Sequence, residues 1–153
     1  MIHDALVDAG LPGINGVWAH ESGGGRMFLA VAIDQRYFGH SREAGYLAAQ
    51  HPAAAYMNKF VVFVDDDVNP RNLDDIVWAM CSQCDPAEDM EILRKTWGSK
   101  VDPLLVDVSK PYNSRVVVDA CKPFDRKDSF RPVAQPSPEI LERTPKSWGH
   151  LFA

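Results

Sequence analysis

The sequence lacks any run of about 20 apolar residues, the length an α-helix needs to cross a bilayer, so a membrane is not an expected partner. Its start, Met1-Ile2-His3-Asp4, lacks the basic-then-apolar build of a secretory leader. Positive charge is also scarce. The 16 Lys and Arg are outnumbered by 21 Asp and Glu, for a formal charge of -5. A surface that tracks nucleic-acid phosphates needs a concentrated excess of Lys and Arg, so nucleic acid is excluded as an expected partner. Cysteines number only three, an odd count that suits no disulfide framework and fits a reducing compartment. These shortages lead to the expectation of a soluble, cytoplasmic protein. What remains, 153 residues of which 46% are hydrophobic and 24% charged, suits one globular domain with its own core.

Apolar residues at Ile2, Ala5, Leu6 and Ala9 have helical spacing, and Gly10 with Pro12 ends that helix. Val17 to Ala19 and Met27 to Ile33 read as two strands joined by Glu21-Ser22-Gly23-Gly24-Gly25-Arg26, the second apolar on both faces and so central in a sheet. His40 to Met57 is Ala-rich and suits a helix that Pro52 ends or kinks near His51. Lys59 to Val64 is another buried strand, and Leu73, Ile76, Val77, Met80, Cys81 and Cys84 mark an amphipathic helix with Asn72 as its cap. Glu91–Arg94 and Arg115–Val118 are short strands, separated by a loop from Gly98 to Ser114. The order predicts an α/β or α+β layer with a mixed sheet as one domain over residues 1–124. The proline-rich remainder, 125–153, reads as an extended arm with a short helix at Glu139 to Arg143.

Three motifs have chemical readings beside plain ones. The glycine run before Arg26 suits close approach of backbone N–H groups to an anion, with the guanidinium closing on it; the plain reading is a hairpin turn. His20 and Glu21 beside it suit acid–base work or simple solvation. Asp65-Asp66-Asp67 at a strand end is a pattern that holds magnesium in transferases, but with no second acidic pair at a matching strand end a structural role is favoured. Cys81-x-x-Cys84 has redox or zinc spacing, yet it closes a helix rather than opening one, so core packing is favoured. His40 and His51, eleven apart, give only a weak metal pattern, and no metal site is assigned.

Taken together, G-V-W-A-H-E-S-G-G-G-R-M, Q-R-Y-F-G-H, K-F-V-V-F-V-D-D-D-V-N-P, D-D-I-V-W-A-M, C-D-P, T-W-G-S and V-D-A-C-K-P-F resemble the C-terminal third of the UbiD family of prenylated-FMN-dependent decarboxylases. The resemblance runs from Leu11 to Phe124. It implies a longer parent enzyme whose N-terminal domain holds prenylated FMN, its metal ions, the catalytic arginine and two glutamates. This chain would supply no catalytic residue, bind no flavin alone, carry oligomer contacts, and close over an aromatic or other unsaturated acid. The resemblance places Arg26 at the flavin phosphate or the substrate carboxylate. Gly24, Gly25, Met27 and Phe28 would form one wall of the substrate pocket, and Ser99 and Val101 the second. Expected partners are the N-terminal UbiD domain, further copies of the chain, and the acid substrate. Self-association is expected to use aromatics in loops and arm, among them Trp97, Trp148 and Phe152. Two alternatives stand beside this reading: a non-catalytic assembly module, and a magnesium-dependent transferase using Asp65 and Asp67.

Overall fold

A computed structural model describes residues 1–134 and 136–151. Five strands form one mixed sheet in the order β1-β2-β3-β5-β4, with β1 at Ile14–Ala19, β2 at Phe28–Ile33, β3 at Phe60–Asp65, β4 at Met90–Trp97 and β5 at Tyr112–Ala120. The three inner strands run parallel, and the edge strands β1 and β4 run antiparallel to their neighbours. The α/β class and mixed sheet expected from the sequence are thus present. Parallel strands must be covered on both faces, which is why β2 and β3 are apolar almost throughout.

Alternation along the strands divides the core in two. Leu29, Val31, Ile33, Val61, Phe63 and Val117 face helices α1 (Ile2–Asp8), α2 (His40–Gln50) and α3 (Pro52–Ala55). Ala30, Ala32, Val62, Val64, Val118 and Ala120 face α4 (Leu73–Gln83), which offers Ile76 and Ala79. The small residues of α2 let it lie close to the sheet: a Cβ on Gly45 would stand 2.4 Å from Val117 Cγ1. Pro52 does not kink one long helix but starts a second, with the His51 side chain capping it by accepting from Ala53 N–H. His40 is instead buried at the start of α2, so the two histidines do separate structural jobs.

Several bounds differ from expectation for identifiable reasons. The edge hairpin β4–β5 is longer than its apolar stretches suggest, because its outer residues are half exposed and a register shift between Leu93 and Thr96 admits Lys95 at φ 56°. Helix α5 spans Pro138–Trp148 rather than Glu139 to Arg143. It runs past Pro145, and with no residue buried the carbonyl freed by the proline can meet water. Cys81 is exposed and Cys84 half-buried, so only the latter packs in the core as expected. Among the described residues no helix is long and apolar enough to cross a membrane.

The C-terminal ends of the parallel strands are tied together by charge. Asp65 is fully buried and accepts from Gln35 Nε2 at 2.9 Å and from the Lys122 backbone N–H at 2.7 Å. Lys127 Nζ stands 3.6 Å from oxygens of Asp34, Asp65 and Asp66, while Lys122 Nζ bonds Asp67 at 2.5 Å. Burial alone would lower the Lys127 pKa, but the three carboxylates outweigh it and hold the ammonium above its ordinary 10.5. A raised lysine pKa contributes stability that is complete below about pH 10 and is lost as pH rises through the folded value. Lys127→Met is expected to lose about 1 to 3 kcal/mol at neutral pH, leaving Asp65 undercompensated, and Tm falls roughly 2 to 4 °C per kcal/mol. Thermal midpoints measured from pH 8 to 12 should converge for the two proteins at the alkaline end; parallel curves would contradict the linkage.

Candidate active-site face

Residues 20–27 form the turn that delivers the chain to β2, and its shape accounts for its glycines. Glu21–Gly23 makes one 3-10 turn, after which Gly24 and Gly25 both take left-handed φ, +66° and +68°. A Cβ on Gly23 would lie 2.6 Å from Phe28 Cβ. The turn also uses its own donors. Gly23 and Gly25 N–H donate to the His20 carbonyl, Gly24 N–H to that of Glu21, and Arg26 and Met27 N–H to that of Gly23. The amides that a glycine run could offer an anion are therefore engaged, and the Arg26 side chain is what the turn has left to present.

Arg26 is exposed and has no carboxylate partner among the described residues. Its guanidinium carbon lies 5.5 Å from the centre of the Tyr56 ring, within cation–π range. Around it is a cleft of about 460 Å³, lined by Gly25, Arg26, Ala53, Ala54, Tyr56 and Met57 among others. Gly24 is exposed beside it, while Met27 turns its carbonyl to the N–H groups of Lys59 and Phe60 and so locks the turn onto β3. Phe28 packs edge-on against His20 at 5.5 Å and stacks with Phe60 at 6.3 Å. His20 is buried, its Nε2 3.0 Å from the Pro70 carbonyl, which is neither a solvated nor an accessible acid–base group.

The second wall begins where β4 ends. Ser99 is buried and its Oγ accepts from Val101 N–H at 3.2 Å; Val101 itself is exposed. Asp102 anchors this turn through Lys59 Nζ at 2.7 Å and Asn113 Nδ2 at 3.3 Å. Burial would raise the Asp102 pKa, but those bonds and the Leu104 N–H outweigh it, and the carboxyl sits below its ordinary 3.8.

The ring of Tyr56, 42% exposed, connects the walls: its centre is 6.4 Å from that of Trp97, which is 53% exposed. Neither residue belonged to the expected pocket. Trp97 was expected in a loop, yet it is the last residue of β4, paired with Tyr112. Arg26, Tyr56 and Trp97 thus form one polar-edged aromatic face at the N-terminal end of the parallel strands, while Phe28 and Phe60 belong to the α4 side of the sheet. Open α/β sheets usually bind ligands at the opposite end. Here that end carries the carboxylates of Asp65, Asp66 and Asp67, already held by Gln35, Lys122 and Lys127. Among the described residues no cluster of three or more His, Cys, Asp or Glu is arranged for a metal.

Residues 1–120 match the model of the 3-octaprenyl-4-hydroxybenzoate carboxy-lyase C-terminal domain, UbiD_C. The chain belongs to this family. A phenolic acid decarboxylase of Escherichia coli O157:H7 is 31% identical over 108 residues, 64% of this chain and 22% of the relative. The UbiD-class enzyme HmfF of Pelotomaculum thermopropionicum, solved with FMN, superposes with a TM-score of 0.75 at 20% identity, over 90% of this chain and 31% of that one. Vanillic acid decarboxylase of Sedimentibacter hydroxybenzoicus, solved in open and closed forms, gives 0.72 in the open form at 21% identity, over 99% and 32%. At such identities the structural likeness is one of fold. The chain spans about a quarter or less of the curated relatives it matches, and about a third of the solved chains.

The turn supplies a direct test. Gly25→Ala meets no atom within 4 Å, so its cost is backbone strain alone, about 1 to 2 kcal/mol. Gly25→Asn, which tolerates the left-handed region, should recover most of it. Equal stability of the three proteins in urea would contradict the turn geometry.

Proposed function

We propose that this chain is the C-terminal part of a UbiD-type decarboxylase, in which residues 1–124 close over prenylated FMN and an aromatic or other unsaturated acid. The cofactor and its metal ions are held mainly by an N-terminal domain, and the proline-rich stretch after Lys127, which is itself tied to Asp34, Asp65 and Asp66, forms an arm toward other protomers. Family membership and the activities of relatives, a phenolic acid decarboxylase among them, support the reaction class. The chain's short span beside those relatives supports a partner domain, and the open and closed forms of the Sedimentibacter enzyme support closure. Exposed Trp148 and the uncovered α5 support self-association, whereas Trp97 stands on the face with Arg26 and Tyr56. Phe152, expected to share in it, lies outside the described residues.

The observation that carries the proposal is Arg26, an accessible guanidinium without an acidic partner among the described residues, seated on an aromatic face. Its fork of donors fits a phosphate or carboxylate, and the stack on Tyr56 limits its rotamers. No enclosed cavity for a flavin ring is formed by the turn itself, so the chain fits the anionic end of the cofactor and a wall of the substrate space. The bound flavin would supply the electron sink for loss of CO2. This chain's residues would orient an anion through Arg26 and exclude water through Tyr56 and Trp97. Asp102, held by Lys59 and Asn113, is not free to deliver a proton.

In the assembled enzyme, Arg26→Ala is expected to lower kcat/KM about ten- to a hundredfold, the loss of one charge-assisted hydrogen bond. Stability should change by no more than about 0.5 kcal/mol, because the residue is exposed. Unchanged kinetics would overturn the anion-contact role.

A further inference from the structure

We infer that Arg115, buried inside β5, is the positioning residue of this face: it sets where the Tyr56 wall stands relative to the Trp97–Ser99 wall. The inference rests on the functional reading above for what the walls are used for, and on the geometry alone for the fact that one side chain holds both.

Arg115 is 1% exposed, the largest side chain so completely enclosed. Its Nε donates to Asn113 Oδ1 at 3.2 Å, one terminal nitrogen donates to the Ala49 carbonyl, and the other to the carbonyls of Ala55, at 2.6 Å, and Trp97. All four acceptors are uncharged, and no carboxylate pairs with Arg115 among the described residues. A cation removed from water without a counter-charge is costly, and burial pushes its pKa below the ordinary arginine value. Stability alone is a poor reason to keep it.

The identity of the acceptors supplies another reason. Ala49 lies in the last turn of α2, Ala55 ends α3, and Trp97 ends β4. Two are helix termini, where carbonyls lack intrahelical donors and carry partial negative charge. The third belongs to the second wall. Tyr56 follows Ala55 directly and Ser99 is two residues past Trp97, so each wall leaves from a carbonyl held by the same planar group. Asn113 extends the control: its Oδ1 orients the guanidinium while its Nδ2 reaches Asp102, which is bonded to Lys59. A Cβ on Gly98 would come within 3.0 Å of the Asn113 amide, so the strand end has no room to move independently. Lysine cannot replace this arrangement, because an ammonium lacks the in-plane fork that reaches three separate carbonyls.

The test compares Arg115→Lys and Arg115→Ala with the parent in the assembled enzyme, by hydrogen exchange and by steady-state kinetics on a hydroxylated benzoic acid. Arg115→Lys should speed exchange locally, at residues 50–57 and 97–102, and raise KM about tenfold with kcat within about twofold. Added guanidinium ion should restore the KM of Arg115→Ala, and ammonium at equal concentration should not. Exchange that quickens evenly over all strands, or a folded Arg115→Lys with parental KM, would overturn the positioning role. Should both variants fail to fold, Asn113→Ala keeps the guanidinium and removes its orienting acceptor; the same local exchange and KM changes are then expected, and their absence overturns the inference. A parent enzyme with no decarboxylase activity would sink the functional reading instead, while the exchange map would still decide whether Arg115 couples the walls.

Discussion

A guanidinium buried among neutral oxygens is the constraint around which this end of the molecule is arranged. Arg115 must find acceptors for its donors or leave a charge stranded in the core, and the available acceptors are the ends of α2, α3 and β4. Satisfying them brings three chain segments to one point. The short α3, the abrupt start at Pro52, and the close of β4 at Trp97 are all consistent with that demand. So is the small-residue composition of α2, which lets the helix approach β5 closely enough for Ala49 to be reached.

The two ends of the parallel strands are treated in opposite ways. At the C-terminal end, where such sheets commonly bind ligands, acidic residues meet Lys122 and Lys127, and a segment of the chain's own later part lies across the opening. At the N-terminal end, the turn before β2 and the turn after β4 leave Arg26, Tyr56, Trp97 and Val101 accessible. Uncovered aromatic surface of this kind is uncommon on an isolated monomer, and the length of the relatives supplies a natural candidate for the missing cover. The same asymmetry separates the charges: the aspartates after β3 are held by Lys122 and Lys127, while Arg26 at the other end is exposed and has no acidic partner among the described residues.

The sheet was legible because β2 and β3 are apolar on both faces, a pattern with few other meanings in a short segment. Element order and the cap at Asn72 followed from equally local signals. The edge hairpin was less legible, since its bulge at Lys95 breaks alternation and its exposed residues carry no apolar code. For the site, the glycine run directed attention to the correct turn but suggested the wrong use of its amides, because hydrogen bonds closed inside a turn leave no mark on composition. Tyr56 was hidden behind an alanine-rich helix, and its meeting with Trp97 is a tertiary contact. Arg115 read as the polar start of a strand. That a charged residue at such a position is the largest fully enclosed side chain among the described residues depends on acceptors up to 66 residues away, which no local pattern encodes.

We propose that this chain completes a decarboxylase whose cofactor sits mainly on another domain. Carbon dioxide release from hydroxylated benzoic acids, measured with the N-terminal domain and prenylated FMN in the presence and absence of this chain, tests it most directly. Turnover is expected only when both are present, with the chain alone retaining no flavin through gel filtration. Equal turnover without the chain, or a chain that holds flavin by itself, would contradict it.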